Sequence, residues 1–488
     1  MFSKQPAGLL AALSVIAIDA CTTVGPNYKV PDHALVNAPA ANSAFLASTD
    51  PAVTAEALPP DWWRLYNDRK LDALVQQALT ANTDLRMADA NLERSKALLS
   101  EAKTLRQPSV ALAGSLAYAQ LAGEQYLLPI TPPISTYYES QVTVGYDLDL
   151  FGGIRRGIEA ARANDEAVAA ARDLVRVNVA AETARAYADA CGAGLQLDAA
   201  QRSLILQRKS LDLTRELMRG GRAIDLDVSR SQQLVDELTA VIPSLEAGRR
   251  NALYRLTTLT GRAPSQVDHE LEDCATPPRL TQRLPIGDGA ALLKRRPDIR
   301  EAERQLAAAT AEIGVATAEL YPDVVIGLSV GSIGTTATAL TSPTNFWQIG
   351  PVVNWQANQS AGRARIAAAN ASAKLALAHF DGTVLKALSD TESALNLYVH
   401  DLQREQNVKD ARDDAAKVER EAAQLEERGR ATALDVIDAQ RTLASAEQSL
   451  AQLESAISTD QVAVFLALGG GWETSDSDHR RVSADRGQ

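Results

Sequence analysis

The chain repeats itself at long range. Gly221-Arg222-Ala223-Ile224-Asp225-Leu226-Asp227-Val228 returns as Gly429-Arg430-Ala431-Thr432-Ala433-Leu434-Asp435-Val436. The correspondence extends upstream, where Pro108-Ser109-Val110 opens one strand-like run and Pro322-Asp323-Val324 opens another. A very long Ala-rich helical pattern follows each. A repeat this distant decides the architecture before any local reading does. It predicts two copies of strand, strand, long helix, helix, and an elongated object rather than several ordinary globular domains.

Helix is expected from Asp61-Trp62-Trp63 to about Leu105, because Leu71, Leu74, Val75, Ala78 and Leu79 fall at the spacing of one buried face. Pro108 marks its end. A second pattern runs from Gly153 to about Arg219; at ~1.5 Å per residue this is roughly 100 Å. It turns at Gly220-Gly221 and returns from Asp227 to about Leu259, with Pro243 a point for a kink. The second half copies this, with helix from Gly362 to about Glu427, a turn at Gly429 and helix from Leu434 to Leu468. Few aromatics and abundant alanine suit long helices packed closely.

Between the helices lie alternating runs. From Ser140 to Leu150, Val142, Val144, Tyr146, Leu148 and Leu150 share one face, and Gln141, Thr143, Gly145, Asp147 and Asp149 the other. Val110, Leu112, Leu116 and Tyr118 alternate likewise. The second half has Val324, Ile326, Leu328 and Val330, then Trp347, Ile349, Val353 and Trp355. Each run is about ten residues, the length a tilted strand needs to cross a bilayer. A soluble sheet packed on one face has the same periodicity. Residues 119–139 and 332–344 suit exposed loops.

If the strands are in a membrane, four cannot close a barrel. Open sheet edges in hydrocarbon cost several kcal/mol per unpaired backbone group, and the smallest bacterial barrels have about eight strands. The strands must then be shared among chains. Two copies supply eight and three supply twelve, and width grows with strand number, so twelve leave room for a lumen. The residues themselves do not choose between two and three.

The N-terminus reads as a secretory signal, with Lys4 before an apolar stretch, Ala7 to Ile18, too short to span a bilayer as a helix. It ends in Ile18-Asp19-Ala20-Cys21, which resembles the lipobox of bacterial lipoproteins and makes Cys21 the expected lipid attachment site. Asp19 stands where a small neutral residue is usual. Residues 22–60, rich in Pro, Ala, Ser and Thr, read as an extended segment over other structure. No later stretch of 18 apolar residues predicts a transmembrane helix. Of the three cysteines, Cys191 and Cys274 remain after Cys21, and both are read as unpaired. The net charge of −12 disfavours nucleic acid, whose phosphates need a basic surface.

Several motifs together resemble the TolC-type outer-membrane efflux proteins, in their OprM/NodT-type lipoprotein branch. Arg296-Pro297-Asp298-Ile299 with Ala302-Glu303 is similar to a signature of the family. Cys21-Thr22-Thr23-Val24-Gly25-Pro26-Asn27-Tyr28 with Pro31 is similar to the start of the branch, and Gly145-Tyr146-Asp147-Leu148-Asp149-Leu150-Phe151-Gly152 to its strand-to-helix crossing. Leu434-Asp435-Val436-Ile437-Asp438-Ala439-Gln440-Arg441 and Ala467-Leu468-Gly469-Gly470-Gly471-Trp472 match its last helix. The second crossing departs from the pattern: Trp355-Gln356-Ala357-Asn358 lacks the Pro and Phe of Trp-Pro-x-Phe.

The resemblance implies a mixed α and β membrane protein. Four transmembrane strands per chain would join a homotrimeric twelve-stranded β-barrel in the outer membrane, continued by a long α-helical, coiled-coil tunnel in the periplasm. It implies a lipid-anchored outer-membrane channel subunit of a tripartite efflux pump, passively conducting drugs or other toxic small molecules. Its partners would be a periplasmic adaptor (membrane-fusion) protein, an inner-membrane pump of RND type and outer-membrane lipid. The expected organisation is a signal peptide over 1–20, the lipidated segment over 21–60 and a first efflux repeat over 61–260. A linker over 261–290, a second repeat over 291–472 and a disordered polar tail over 473–488 complete it.

A passive duct needs a pore and a gate. The resemblance places the periplasmic gate at Leu434, Asp438 and Arg441, each repeated in a ring. An apolar ring resists hydration and an acidic ring attracts cations. Asp438 and Arg441 are three apart and can pair within or between chains, at ~0.2–0.5 kcal/mol within one helix. Leu226, Asp227 and Arg230 at the first turn are candidates for adaptor contact or gating, and Asp435 at the second for adaptor contact, with capping and turn formation the competing role since Asp225 and Asp227 suit a helix start. No enzyme motif, catalytic residue, cofactor or metal is expected: the five histidines lack ligand spacing, and no phosphate loop or nucleophile elbow occurs. The alternative reading is a periplasmic adaptor or scaffold lipoprotein with long helical hairpins.

Overall fold

The computed structural model describes residues 23–122 and 129–470. The expected signal peptide, Cys21, Trp472 and the polar tail lie outside them. In chain order the elements are β1 (Val53–Thr54), α1 (Arg69–Ala81), α2 (Thr83–Thr104), β2 (Ser109–Ala119) and β3 (Ser135–Asp147). Next come α3 (Gly153–Arg219), α4 (Asp225–Leu259), β4 (Leu284–Pro285), α5 (Gly289–Arg295) and α6 (Pro297–Ala318). The chain continues with β5 (Asp323–Thr335), β6 (Asn345–Asn354), α7 (Ser360–Glu427) and α8 (Ala433–Ala467). It falls into two compact units. One is Met1–Pro31, Leu92–Val168 and Glu301–Phe380, and the other is Asp32–Asn91, Ala169–Arg300 and Asp381–Gln488. Each unit draws on both repeats.

The first unit holds a four-stranded sheet in the order β2-β3-β5-β6, antiparallel throughout. Register sorts the side chains. Val110, Val144, Leu328 and Ile349 form one cross-strand row, and Leu112, Val142, Val330 and Trp347 form the next. The opposite face carries Ala111, Thr143, Ser329 and Gln348, then Ser109, Gly145, Gly327 and Gly350. The apolar face is open in the single chain: Leu112 is 78% exposed and Trp347 73%. A soluble sheet would bury that face, so the soluble alternative is disfavoured.

The second strand differs from the expectation at both ends. It starts at Ser135 and stops at Asp147, so Leu148 and Leu150 follow the strand rather than belong to it. Asp149 sits at φ 43° and Gly152 at φ 78°, which turns the chain into α3. The Asp149 carboxylate accepts the backbone N–H groups of Ile154 (2.8 Å) and Arg155 (3.0 Å), satisfying orphan donors of the first helical turn. The last strand likewise ends before Trp355. At that second crossing Trp355 Nε1 and Gln359 Nε2 both donate to the Leu320 carbonyl at 3.1 Å. Those two bonds tie down the segment that lacks the Pro and Phe of the family pattern.

In the second unit, Trp62, Trp63, Tyr66 and Phe465 form an aromatic cluster, with the Trp62 and Phe465 rings stacked at 4.5 Å. Alanines of α3, among them Ala180, Ala184 and Ala190, line this core. The helix expected over 61–105 is in fact a 3-10 turn, Trp62–Tyr66, then α1 and α2 with a break at Asn82. Asn82 is extended, and its Oδ1 caps the next helix by accepting from Asp84 (2.8 Å) and Leu85 (3.1 Å). Pro243 lies inside α4. Part of the N-terminal segment is pinned by β1, which pairs in parallel with β4.

The expectation that Cys191 and Cys274 are unpaired is wrong. They form a disulfide, with Cα atoms 4.8 Å apart. The backbone around Cys274 approaches α3 so closely that a Cβ on Gly194 would lie 1.9 Å from the Cys274 carbonyl oxygen. Glycine at 194 therefore admits the linker that carries the second cysteine.

Candidate functional site

The repeated octapeptide is a helix–turn–helix joint used twice. At the first joint the Arg222 N–H returns to the Leu217 carbonyl at 2.8 Å, with Gly221 left-handed at φ 70°. At the second, the Arg430 N–H returns to the Leu425 carbonyl at 2.8 Å, with Gly429 at φ 69°. This six-to-one bond across a left-handed glycine stops each long helix. The aspartate six residues on starts the return helix. The Asp227 carboxylate accepts from the Ile224 N–H at 3.2 Å. That of Asp435 accepts from the Thr432 N–H at 2.7 Å, while Thr432 Oγ1 accepts the Asp435 N–H at 3.3 Å. This is a reciprocal capping box. Bonds from the Thr432 hydroxyl and backbone to its charged form hold the Asp435 carboxyl below the usual range.

The structure thus separates the expected site residues into two groups. Asp227 and Asp435 build the joints. Leu434, Asp438 and Arg441 share one stripe of α8, with Leu434 half-buried and both charged residues exposed, while Val436, Ile437 and Ala439 turn inward. Asp438 and Arg441 make no ion pair with each other within the chain. Leu226 and Arg230 are exposed on the matching stripe of α4, followed by Gln233, which the sequence reading missed. The offset that carries Gly221 to Gly429 also carries Arg230 to Asp438 and Gln233 to Arg441.

The hairpins pack through polar contacts as well as apolar ones. Ser203 of α3 donates to Glu447 of α8 at 2.9 Å, and Gln207 Nε2 donates to Ser231 Oγ of α4 at 3.0 Å. Burial raises the Glu426 carboxyl above its ordinary range, against the pull of Arg222 from the other joint.

A second constellation lies at the end of α8. The Arg296 guanidinium grips the Asp298 carboxylate, and its NH1 donates to the Ala467 carbonyl at 2.7 Å. That carbonyl, at the helix terminus, also accepts from Thr391 Oγ1 at 3.2 Å. Gly469, at φ 69°, leaves room for Arg296: a Cβ there would meet its Cγ at 2.7 Å.

The family model for outer membrane efflux protein matches residues 74–262 and 290–470. The chain belongs to the outer membrane efflux protein family. Its relatives include Nodulation protein T of Rhizobium leguminosarum bv. trifolii, 28% identical over 92% of this chain and 94% of the relative. The pyoverdine export outer membrane protein OpmQ of Pseudomonas putida is 28% identical over 86% and 90%. Among solved structures, the outer-membrane channel OprN is 33% identical with a TM-score of 0.86, covering 92% of this chain and 99% of that one. VceC of Vibrio cholerae shares the fold at 24% identity and a TM-score of 0.78, covering 86% and 100%.

This efflux protein is therefore an outer-membrane channel component, and the adaptor alternative falls. Its Arg296-Pro297-Asp298 signature is a helix-end clamp. No described helix is long and apolar enough to cross a membrane, which says nothing of a β-barrel.

Proposed function

We propose that three copies of this chain close a twelve-stranded barrel in the outer membrane and passively conduct small molecules delivered by a pump. The observation that carries this reading is the sheet with an exposed apolar face and two unpaired edges. β2 and β6 run in opposite directions, so β6 of one copy can extend the antiparallel ladder to β2 of the next. The other face is largely small or polar, with Ala111, Ala113, Gly145, Gly327 and Gly350 beside Gln141, Thr143 and Gln348. Twelve strands leave a lumen there, whereas about eight make a barrel just wide enough to be filled by side chains.

The two efflux repeats, 61–260 and 291–472 about the 261–290 linker, supply alternating hairpins to the periplasmic tunnel. Leu434, Asp438 and Arg441 form its gate. Leu226 and Arg230 meet the adaptor or the gate from the neighbouring hairpin, and an RND-type pump supplies the energy. Cys21 carries the lipid. Relatives bear names for pyoverdine export, toluene efflux and cation efflux, which support small-molecule export without choosing the cargo.

The test uses the Cys21→Ala protein, which has no lipid to hold it in a membrane. It should still require detergent and give cross-linked species up to the trimer. A freely soluble monomer would overturn the proposal.

A further inference from the structure

The segment after Cys21 is keyed into the first unit by a buried cation. Arg156, in the first turn of α3, is 3% exposed. Its Nε donates to the Val24 carbonyl at 3.0 Å; its NH2 donates to the Gly25 carbonyl at 3.0 Å and to Asn27 Oδ1 at 2.8 Å. Its NH1 is paired with Glu159 at 2.7 Å. Three of the four partners belong to one stretch of four residues, 24–27. A planar fork of fixed donors is suited to reading such a pattern, and a lysine is not.

The backbone is fitted as closely. Gly25 has φ +85°, and a Cβ on it would lie 2.4 Å from the Gly314 Cα of α6. A Cβ on Gly314 would in turn meet the Arg156 side chain at 2.6 Å. Gly152, at φ +78°, lies against Thr23, which a Cβ would meet at 2.6 Å. The Val24 N–H donates to the Phe151 carbonyl at 3.0 Å. At the far end of the stretch, Tyr28 donates to Glu303 at 2.6 Å, and Arg304 lies 5.6 Å from the centre of its ring. Hairpin packing does not call for this arrangement, and a segment merely trailing from a lipid would not need it.

We propose that Gly152, Arg156, Glu303 and Gly314 form a docking groove for the chain's own Thr23–Tyr28 strap. Its work is to fix the N-terminal end against the crossing from β3 into α3. The groove's ligand is a short extended peptide with two consecutive carbonyls, a left-handed glycine and an amide oxygen two residues on. The part of the proposal that concerns lipid rests on acylation of Cys21; the docking itself does not. A lipid on a free tether would leave the barrel's height in the membrane unset, whereas a docked strap ties the two together.

Lys29 follows the strap and is exposed, so trypsin can report on docking. The detergent-solubilised full-length protein is digested and release of the N-terminal peptide ending at Lys29 is timed by mass spectrometry. Gly25→Ala alters no helix or strand. It should accelerate this cleavage by about tenfold or more, because proteolysis follows the opened population. Arg156→Ala should do the same and Arg156→Lys should not restore protection. Cys21→Ala should leave the strap protected, and conduction plays no part in the readout. Unchanged cleavage in Gly25→Ala and Arg156→Ala proteins of native oligomeric mass overturns the proposal. Loss of protection in Cys21→Ala also overturns it, since the lipid would then be holding the strap.

Discussion

Arg296 binds Asp298 through two nitrogens, at 3.0 and 2.6 Å, and uses the third to hold the last carbonyl of α8. Only a fork can do both. Arg296→Ala would strand a part-buried carboxylate and leave the helix-end carbonyl with only its bond from Thr391, at a cost of about 2–4 kcal/mol. Arg296→Lys should recover little of this. Thermal unfolding of the detergent-solubilised protein measures the loss, and melting within a degree of wild type would refute the clamp.

The disulfide between Cys191 and Cys274 closes a loop spanning a sequence separation of 83 residues. By chain entropy it contributes up to about 4.5 kcal/mol. Cys274→Ser should therefore lower the melting temperature, and a reductant should lower that of the wild type but not of the variant. Equal melting in all four samples would mean that the bond does not form.

Two carboxyls give opposite pH signatures. The Glu405 carboxyl is pulled down to about 2, first by hydrogen bonding from Arg279, which outweighs burial, and then by Lys409. Its contribution to stability is present above the ordinary glutamate range and is lost as pH falls through about 2. The Asp460 carboxyl is pushed up to about 6, first by burial and then by Asp401, against the pull of Arg185. A raised acid favours the folded state below its unfolded value of 3.8 and loses that advantage as pH rises through about 6. Asp460→Asn should thus raise the melting temperature at pH 8 and change it little at pH 4. A gain of equal size at both would show that packing, not titration, is responsible.

Much of this was legible from periodicity. The expected bounds of the long first-half helix, Gly153 to Arg219, coincide with α3, because a pattern that long with glycine at its end leaves few alternatives. The break at Asn82 is invisible to periodicity. Neither Gly nor Pro marks it; its local sign is an Asn that caps the next helix, and its tertiary support is the bond from Asn82 Nδ2 to the Leu259 carbonyl of a distant helix at 3.1 Å. The disulfide escaped for the same reason, since periodicity carries no distance between elements. Arg156 looks like one more charge on an Ala-rich helix until the strap is seen around it. For Asp227 and Asp435 the sequence offers two roles, contact and capping, and the structure shows the capping bonds of each.

The proposed gate offers a charge-swap test. Arg230 and Asp438 occupy matched positions of the two repeats, so in a closed ring of alternating hairpins the two charges would alternate. Six exposed contacts of ~0.2–1 kcal/mol sum to roughly 1–6 kcal/mol, enough to hold a closed state that a partner could release. Asp438→Ala with Arg441→Ala should raise single-channel conductance in planar bilayers and the cell's permeability to large antibiotics. Asp438→Arg alone should open the channel further by placing like charges together, and adding Arg230→Asp should restore closure. High salt should mimic the opening in the wild type and do less in the double-alanine protein, because exposed pairs are screened. If the swap fails to reclose a channel that the single reversal opens, Arg230 is not the partner of Asp438. If neither the alanine pair nor the reversal changes conductance, these residues are not the gate.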